Sequence, residues 1–129
     1  MKIYYFTRTG RSKLIAEELA ARYDIKPLEI NDDIDWQGVG GYVKAAYKAV
    51  RKEALPARYV KPNEDDDIIL VFPIWAGTFP PAVRTFVEKE GRSNTICIPT
   101  SGGSKLKDRD GFKKIIDLVG KNIVTPETI

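Results

Sequence analysis

The spacing of apolar residues changes several times along this chain, and each change marks an element. Ile3, Tyr4, Tyr5 and Phe6 form an unbroken apolar run, which predicts a first strand over residues 2–6. Ile15, Leu19 and Tyr23 then recur four apart, with Leu14, Ala16 and Ala20 beside them, and predict an amphipathic helix over 13–23. Residues 25–30 read as a short second strand, which Pro27 pushes towards an edge. A polar, glycine-containing loop follows over 31–41 and carries Trp36. Val43, Ala46, Tyr47 and Val50 share one side of a second helix over 42–53, on which Tyr42 and Tyr47 read as packing residues, and Pro56 ends it.

The stretch DIILVFPI, residues 67–74, is apolar at every position from Ile68 to Phe72. A strand without alternation expects both faces to be buried, as at the centre of a parallel sheet. Pro80 and Pro81 open a third helix with the stripe Val83, Phe86 and Val87, and Gly91 ends it. Residues 95–99 predict a fourth strand that holds Cys97 as a core residue. Phe112, Ile115, Ile116 and Val119 fit the i, i+3, i+4, i+7 rule for a fourth helix stopped by Gly120, and 122–125 complete a fifth strand. Regular strand–helix alternation indicates a doubly wound α/β sheet, and 129 residues without linker or repeat indicate one domain, 1–129. Ligands of such sheets sit beyond the carboxyl ends of the strands. The loops at 7–12, 74–79 and 100–110 therefore matter most.

Composition narrows the chemistry. Histidine is absent and Cys97 is the only cysteine, which excludes an intramolecular disulfide and leaves no His/Cys zinc set. No apolar run reaches the roughly 18 residues of a membrane span, and the amino terminus lacks a signal-peptide layout. A cytoplasmic location is expected. The net charge of +3 and pI near 8.9 are only mildly basic, and the lysines form no run with interleaved aromatics, so nucleic acid is not expected as a partner. The acidic clusters Asp32, Asp33, Asp35 and Glu64 to Asp67 read as solvated turns.

The loop TRTGRS combines Thr7, Arg8, Thr9, Gly10, Arg11 and Ser12 ahead of a helix. It reads either as a turn with a helix cap or as a phosphate seat, since hydroxyls, N–H groups and the positive end of the helix dipole all suit an anion. It is neither GxxxxGK[ST] nor GxGxxG, and its spacing suits a phosphate monoester. Thr7-x-Thr9-Gly10-x-Ser12 after an apolar strand resembles the phosphate loop of flavodoxins. PIWAGTFPPAVRTF, residues 73–86, and TSGGSKLKD, residues 100–108, are similar to the second and third loops of short flavodoxin-like proteins. The resemblance implies a five-stranded parallel sheet of order 2-1-3-4-5, one bound FMN, and electron transfer.

On that reading Thr7, Arg8, Thr9, Gly10, Arg11 and Ser12 hold the phosphate. Pro73, Ile74, Trp75, Ala76, Gly77 and Thr78 meet the flavin ring. Trp75 is placed to stack on it, and the Ala76-Gly77 peptide is able to turn a carbonyl towards flavin N5. Thr100, Ser101, Gly102 and Gly103 face its pyrimidine edge. Three features depart from the family. Arg8, Arg11, Lys13, Lys105, Lys107 and Arg109 give the site a basic rim. No aromatic precedes Phe112 in the third loop. The final helix of the family is expected to be missing after the fifth strand. An open flavin face with a basic rim equally suits an FMN-dependent reductase of an anionic or quinone-type substrate, and a scaffold that has lost FMN is a third reading. The expected partners are a redox protein or a small electron acceptor. Loss of the last helix would leave one sheet face exposed beside Ile96, Ile98, Ile123 and Val124, a face that the tail 125–129 is too short to cover. A homodimer or a separate partner chain is expected to cover it.

Overall fold

The structure is a computed structural model that describes residues 1–32, 40–41 and 56–129. The expected second helix, with Tyr42 and Tyr47, and Trp36 lie outside the described residues. The elements are β1 (Lys2–Tyr5), α1 (Arg11–Arg22), β2 (Leu28–Glu29), β3 (Ile68–Pro73), α2 (Pro81–Glu90), β4 (Thr95–Ser101), β5 (Lys114–Ile115) and β6 (Leu118–Val119). The strands form one parallel sheet in the order β2-β1-β3-β4-β5, with β6 also paired to β4. The expected order is thus the observed one, with β3 at the centre and the short strand after Pro27 at the edge.

β3 is central because both its faces have a partner. Ile68, Leu70 and Phe72 face α2, where they pack with Tyr4, Phe6, Cys97, Val83, Phe86 and Val87. Ile69 and Val71 face α1, where they pack with Ile3, Tyr5, Ile98, Ile15, Ala16 and Leu19. α2 begins with Pro81 after Pro80, where a missing N–H is harmless, and stops at Gly91 with φ +86.

The fifth position differs from expectation. Residues 112–119 do not form a helix, and 122–125 do not form a strand; β5 and β6 lie in tandem along β4 instead. Ile115 packs on the α2 side and Ile116 on the α1 side, as neighbours do in an extended chain. The free edge of β4 decides the outcome: the N–H groups of Lys113, Ile116 and Gly120 donate to Thr95, Cys97 and Ser101 carbonyls at 3.0, 2.9 and 2.9 Å. A helix there would leave those buried acceptors without strand partners. Among the described residues no helix follows β4.

The sheet face expected to be exposed is largely covered, although Ile96 and Ile123 are only half-buried and Val124 stays 75% exposed. Ile69, Val71 and Ile98 are 2%, 0% and 0% exposed. α1 covers part of this cluster, and Ile116, Leu118, Ile123 and Ile129 pack against the rest. Thr125, buried, donates to Glu18, and Arg22 donates to the Pro126 carbonyl, so two side-chain bonds latch the C-terminal segment to α1. The tail alone is short, but the segment from Ile116 onwards does the covering.

Candidate functional site

α1 starts two residues earlier than its apolar spacing predicts, so Arg11 and Ser12 belong to its first turn. Its N-cap is Gly10, in the left-handed region at φ +96, with no capping side chain. Thr7 Oγ1 accepts the Gly10 N–H at 2.9 Å and closes the loop, while the first intrahelical bond runs from Leu14 N–H to Gly10 O at 3.0 Å. The N–H groups of Arg11, Ser12 and Lys13 therefore precede the helical ladder. The first turn holds no acidic residue, and Arg11 places a cation at the positive end of the helix dipole. That placement is unfavourable by about 0.3–1 kcal/mol in isolation. An anion at this point would offset both costs.

Beside this loop lies a cleft of about 560 Å³ at the carboxyl ends of β1, β3 and β4. Its lining brings together Thr7, Arg8, Thr9, Arg11 and Ser12 from the first loop, Pro73, Ile74, Trp75, Ala76 and Gly77 from the second, and Thr100, Ser101, Gly102 and Ser104 from the third. Gly10, Thr78 and Gly103, expected at the site, do not line it. Ser104 is a lining residue that the motif reading missed: its N–H donates to Ser101 Oγ at 2.9 Å, and that hydroxyl donates to the Ser104 carbonyl. The Ser-Gly-Gly-Ser spacing is the signal for this local turn. The lining carries two arginines and, among the described residues, no carboxylate.

The loops are stitched to each other. Ser12 is buried, and its Oγ lies 3.1 Å from Thr100 Oγ1, which in turn lies 3.4 Å from the Phe72 carbonyl. If Thr100 donates to Phe72, Ser12 spends its proton on Thr100, so Ser12 joins the first and third loops rather than offering a free donor. Ile74 N–H donates to the Thr100 carbonyl at 2.9 Å.

The second loop is a tight turn. Trp75 and Thr78 exchange N–H···O bonds of 3.0 Å in both directions, and Ala76 and Gly77 have φ of +51 and +78. Positive φ at both central positions is the pattern of a type I′ turn. Gly77 O also accepts the Lys107 N–H at 3.0 Å, and a Cβ at Gly77 would lie 2.9 Å from Lys107 Cε. Both polar ends of the Gly77–Thr78 peptide are thus engaged. Thr78 is buried behind the turn, where Arg84 Nη2 donates to its hydroxyl at 2.7 Å.

Trp75 reaches the cleft but is only 8% exposed, packed edge-on to Phe6 with ring centroids 5.4 Å apart. It offers a small part of its surface to a ligand and is mainly a core residue. Phe112 packs on Phe79 under the Arg92 guanidinium, away from the cleft. The basic rim is smaller than expected: Arg109 pairs with Asp117 through bonds of 3.0 and 2.9 Å, which hold the Asp117 carboxyl below the usual range. Arg92 clamps Asp108 through bonds of 2.7 and 2.8 Å and braces the third loop. Cys97 is fully buried, and burial pushes its thiol pKa up, so it is no nucleophile. Among the described residues, no three or more of His, Cys, Asp and Glu come together as a metal-ligand set.

A parallel α/β sheet with a cationic, hydroxyl-rich cleft at the carboxyl ends of its central strands defines a protein of the doubly wound class, whose ligands sit at that edge of the sheet. Comparison places it more closely. The chain belongs to the flavodoxin family, whose model matches residues 1–121. Among solved structures it is similar to a flavoprotein of Lactobacillus acidophilus NCFM in complex with FMN. That match has 18% identity and a TM-score of 0.68, and spans 91% of this chain and 89% of the other. It is also similar to a "Putative flavoprotein" of Bacteroides uniformis ATCC 8492, at 21% identity and a TM-score of 0.69 over 94% and 90%. A search of curated proteins gives no match.

Proposed function

We propose that the chain binds one FMN in this cleft and transfers electrons through it. The carrying observation is the amino terminus of α1, without a capping side chain, beside a cleft lined by Arg8 and Arg11 and, among the described residues, by no carboxylate. Family membership and the FMN complex of the Lactobacillus relative support the same cofactor. The cleft volume of about 560 Å³ falls within the range of roughly 300–1,000 Å³ usual for cofactor sites. FMN supplies one- and two-electron redox chemistry. The chain's own residues bind and orient it: Thr7, Thr9, Arg8, Arg11 and the first N–H groups of α1 hold the phosphate. Ile74, Trp75, Ala76 and Gly77 flank the ring. Thr100, Ser101, Gly102 and Ser104 offer polar groups to its edge.

The absorption spectrum of the purified protein, followed by cofactor extraction and a fluorescence titration with FMN and riboflavin, tests this. Equal affinity for the two flavins would remove the phosphate seat from the argument. A protein that stays colourless and takes up no FMN would be a binding scaffold instead. The cationic lining also favours a second reading, an FMN-dependent reductase of an anionic substrate, which steady-state NAD(P)H oxidation separates from a carrier. No helix among the described residues is long and apolar enough to cross a membrane. With a single buried cysteine, the cytoplasm is the compartment we assign. The homodimer or partner chain expected from the sequence has less apolar surface to cover than the sequence suggested, because α1 and the C-terminal segment pack over much of that face while Val124 stays exposed.

A further inference from the structure

Gly120 stands where the C-terminal segment passes the cleft. Its N–H donates to the Ser101 carbonyl at 2.9 Å, and its own carbonyl accepts from Arg11 Nη2 at 2.6 Å. Arg11 and Ser101 line the cleft from the first and third loops, whereas Gly120 does not line it. Gly120 has φ +125, a conformation that L side chains rarely adopt, and a Cβ there would meet nothing within 4 Å. Glycine is therefore required by the backbone path and not by crowding. A guanidinium has five N–H donors in a rigid fork, so one bond to Gly120 leaves the others for an anion.

We propose that the Gly120 carbonyl is a positioning group: it holds Arg11 at the amino terminus of α1 in the orientation a phosphate monoester needs. The C-terminal segment then contributes to ligand selection without touching the ligand. The inference rests on the FMN reading above and adds a specific consequence. Without Gly120, the loss of freedom of a long side chain falls on ligand binding; with it, folding has already ordered the arginine. The coupling is confined to the phosphate, since it passes through Arg11. It is also reciprocal, so an occupied phosphate seat tightens the segment around Gly120.

The test is a fluorescence titration of FMN-stripped protein with FMN and with riboflavin. Gly120→Ala cannot keep φ +125 without strain, and so displaces the carbonyl. It is expected to weaken FMN about two- to tenfold, the worth of ordering one long side chain, and to leave riboflavin unchanged. In an Arg11→Gln background the same change is expected to have no further effect on FMN. Gly91→Ala, at another positive-φ glycine with open space, φ +86 at the end of α2, controls for backbone strain alone and is expected to leave both affinities unchanged. Equal weakening of both flavins by Gly120→Ala, or an undiminished effect in the Arg11→Gln background, overturns the positioning role even where the parent prefers FMN. A parent that binds both flavins equally overturns the FMN reading and this inference with it. Hydrogen exchange on the parent serves if Gly120→Ala does not fold. FMN, and not riboflavin, is expected to slow exchange at residues 118–121, and identical exchange with the two flavins overturns the proposal.

Discussion

The turn at residues 75–78 sets two substitutions against each other, one position apart. Gly77→Ala places a Cβ on a residue at φ +78, at a cost of about 1–2 kcal/mol in the left-handed region. The same Cβ would sit 2.9 Å from Lys107 Cε and 3.2 Å from Cδ. Those atoms are the outer part of a flexible side chain, so moving them adds only about 0.5–1.5 kcal/mol of rotamer cost. Backbone strain thus outweighs the side-chain clash, and a second change, Lys107→Ala, is expected to return only the smaller cost. Ala76 is already a non-glycine residue at φ +51. Ala76→Gly releases about 1 kcal/mol of that strain. It gives back about 0.4–1 kcal/mol through the freer unfolded chain. The expected outcome is a clear loss of stability for Gly77→Ala and a change between neutral and slightly stabilising for Ala76→Gly. Urea unfolding with and without added FMN reads both, and a distorted turn is also expected to lower FMN affinity, because Ala76 and Gly77 line the cleft. Gly77→Ala in turn gains about 0.4–1 kcal/mol from a stiffer unfolded chain, and a net cost below about 0.5 kcal/mol would still refute the assigned turn, since strain and the Lys107 clash together exceed that gain by at least this much.

Four further outcomes follow from the same geometry. Thr9 is exposed on the first loop, so Thr9→Ala is expected to leave the fold intact while removing a bond to a charged acceptor, a loss of about 1.5–3 kcal/mol for FMN and none for riboflavin by fluorescence titration. Fully reduced FMN is an anion at neutral pH, which Arg8 in the cleft lining would stabilise on the proposed reading; Arg8→Gln is expected to make the second reduction potential more negative in spectroelectrochemical titration, and an unchanged value would place Arg8 too far from the ring. Hydrogen bonds from Arg109 hold the Asp117 pKa below 3.8, so this pair contributes stability above the unfolded pKa that is lost as pH falls through the lower folded value; Asp117→Asn is expected to flatten stability against pH on that acid limb and nowhere else. Light scattering across a dilution series is expected to give 14.5 kDa, and a persistent dimer at micromolar concentration would mean that a surface other than the covered part of the α1 face associates.

Much of the fold was legible because local and tertiary demands agree. β3 reads as central from five consecutive apolar residues, and the sheet does bury both its faces. Pro80, Pro81 and Gly91 bracket α2 in sequence and in structure alike. The failure at residues 112–119 has a definite origin. Phe112, Ile115, Ile116 and Val119 satisfy helical spacing, but in so short a window the same residues also suit an extended chain whose neighbours face opposite ways. The open edge of β4 breaks the tie, and a sequence does not display that edge. The covered α1 face escapes notice for a related reason: spacing distributes Ile116, Leu118, Ile123 and Ile129 over separate elements, so their joint contact with Ile69, Val71 and Ile98 does not emerge from it.

At the candidate site, residue types were legible and their division of labour was not. The three loops meet because a doubly wound sheet delivers them to one edge, a topological fact available from strand order. Which hydroxyl faces the ligand depends on bonds between loops. Ser12 and Thr9 look alike in TRTGRS, yet Ser12 is buried against Thr100 while Thr9 is exposed at the loop. Trp75 looks like a stacking platform and spends most of its surface on Phe6 and the core. Arg11 shows the principle most clearly. By spacing it is a loop residue; in the fold it is the first residue of a helix, a cation set against the dipole and held by a carbonyl from 109 residues away. Such an arrangement opposes the local preference of a helix end, and it persists because Gly120 supplies an acceptor and the cleft leaves room for an anion. A cation that helix-end rules disfavour at that position is the local departure on which the proposed phosphate seat rests.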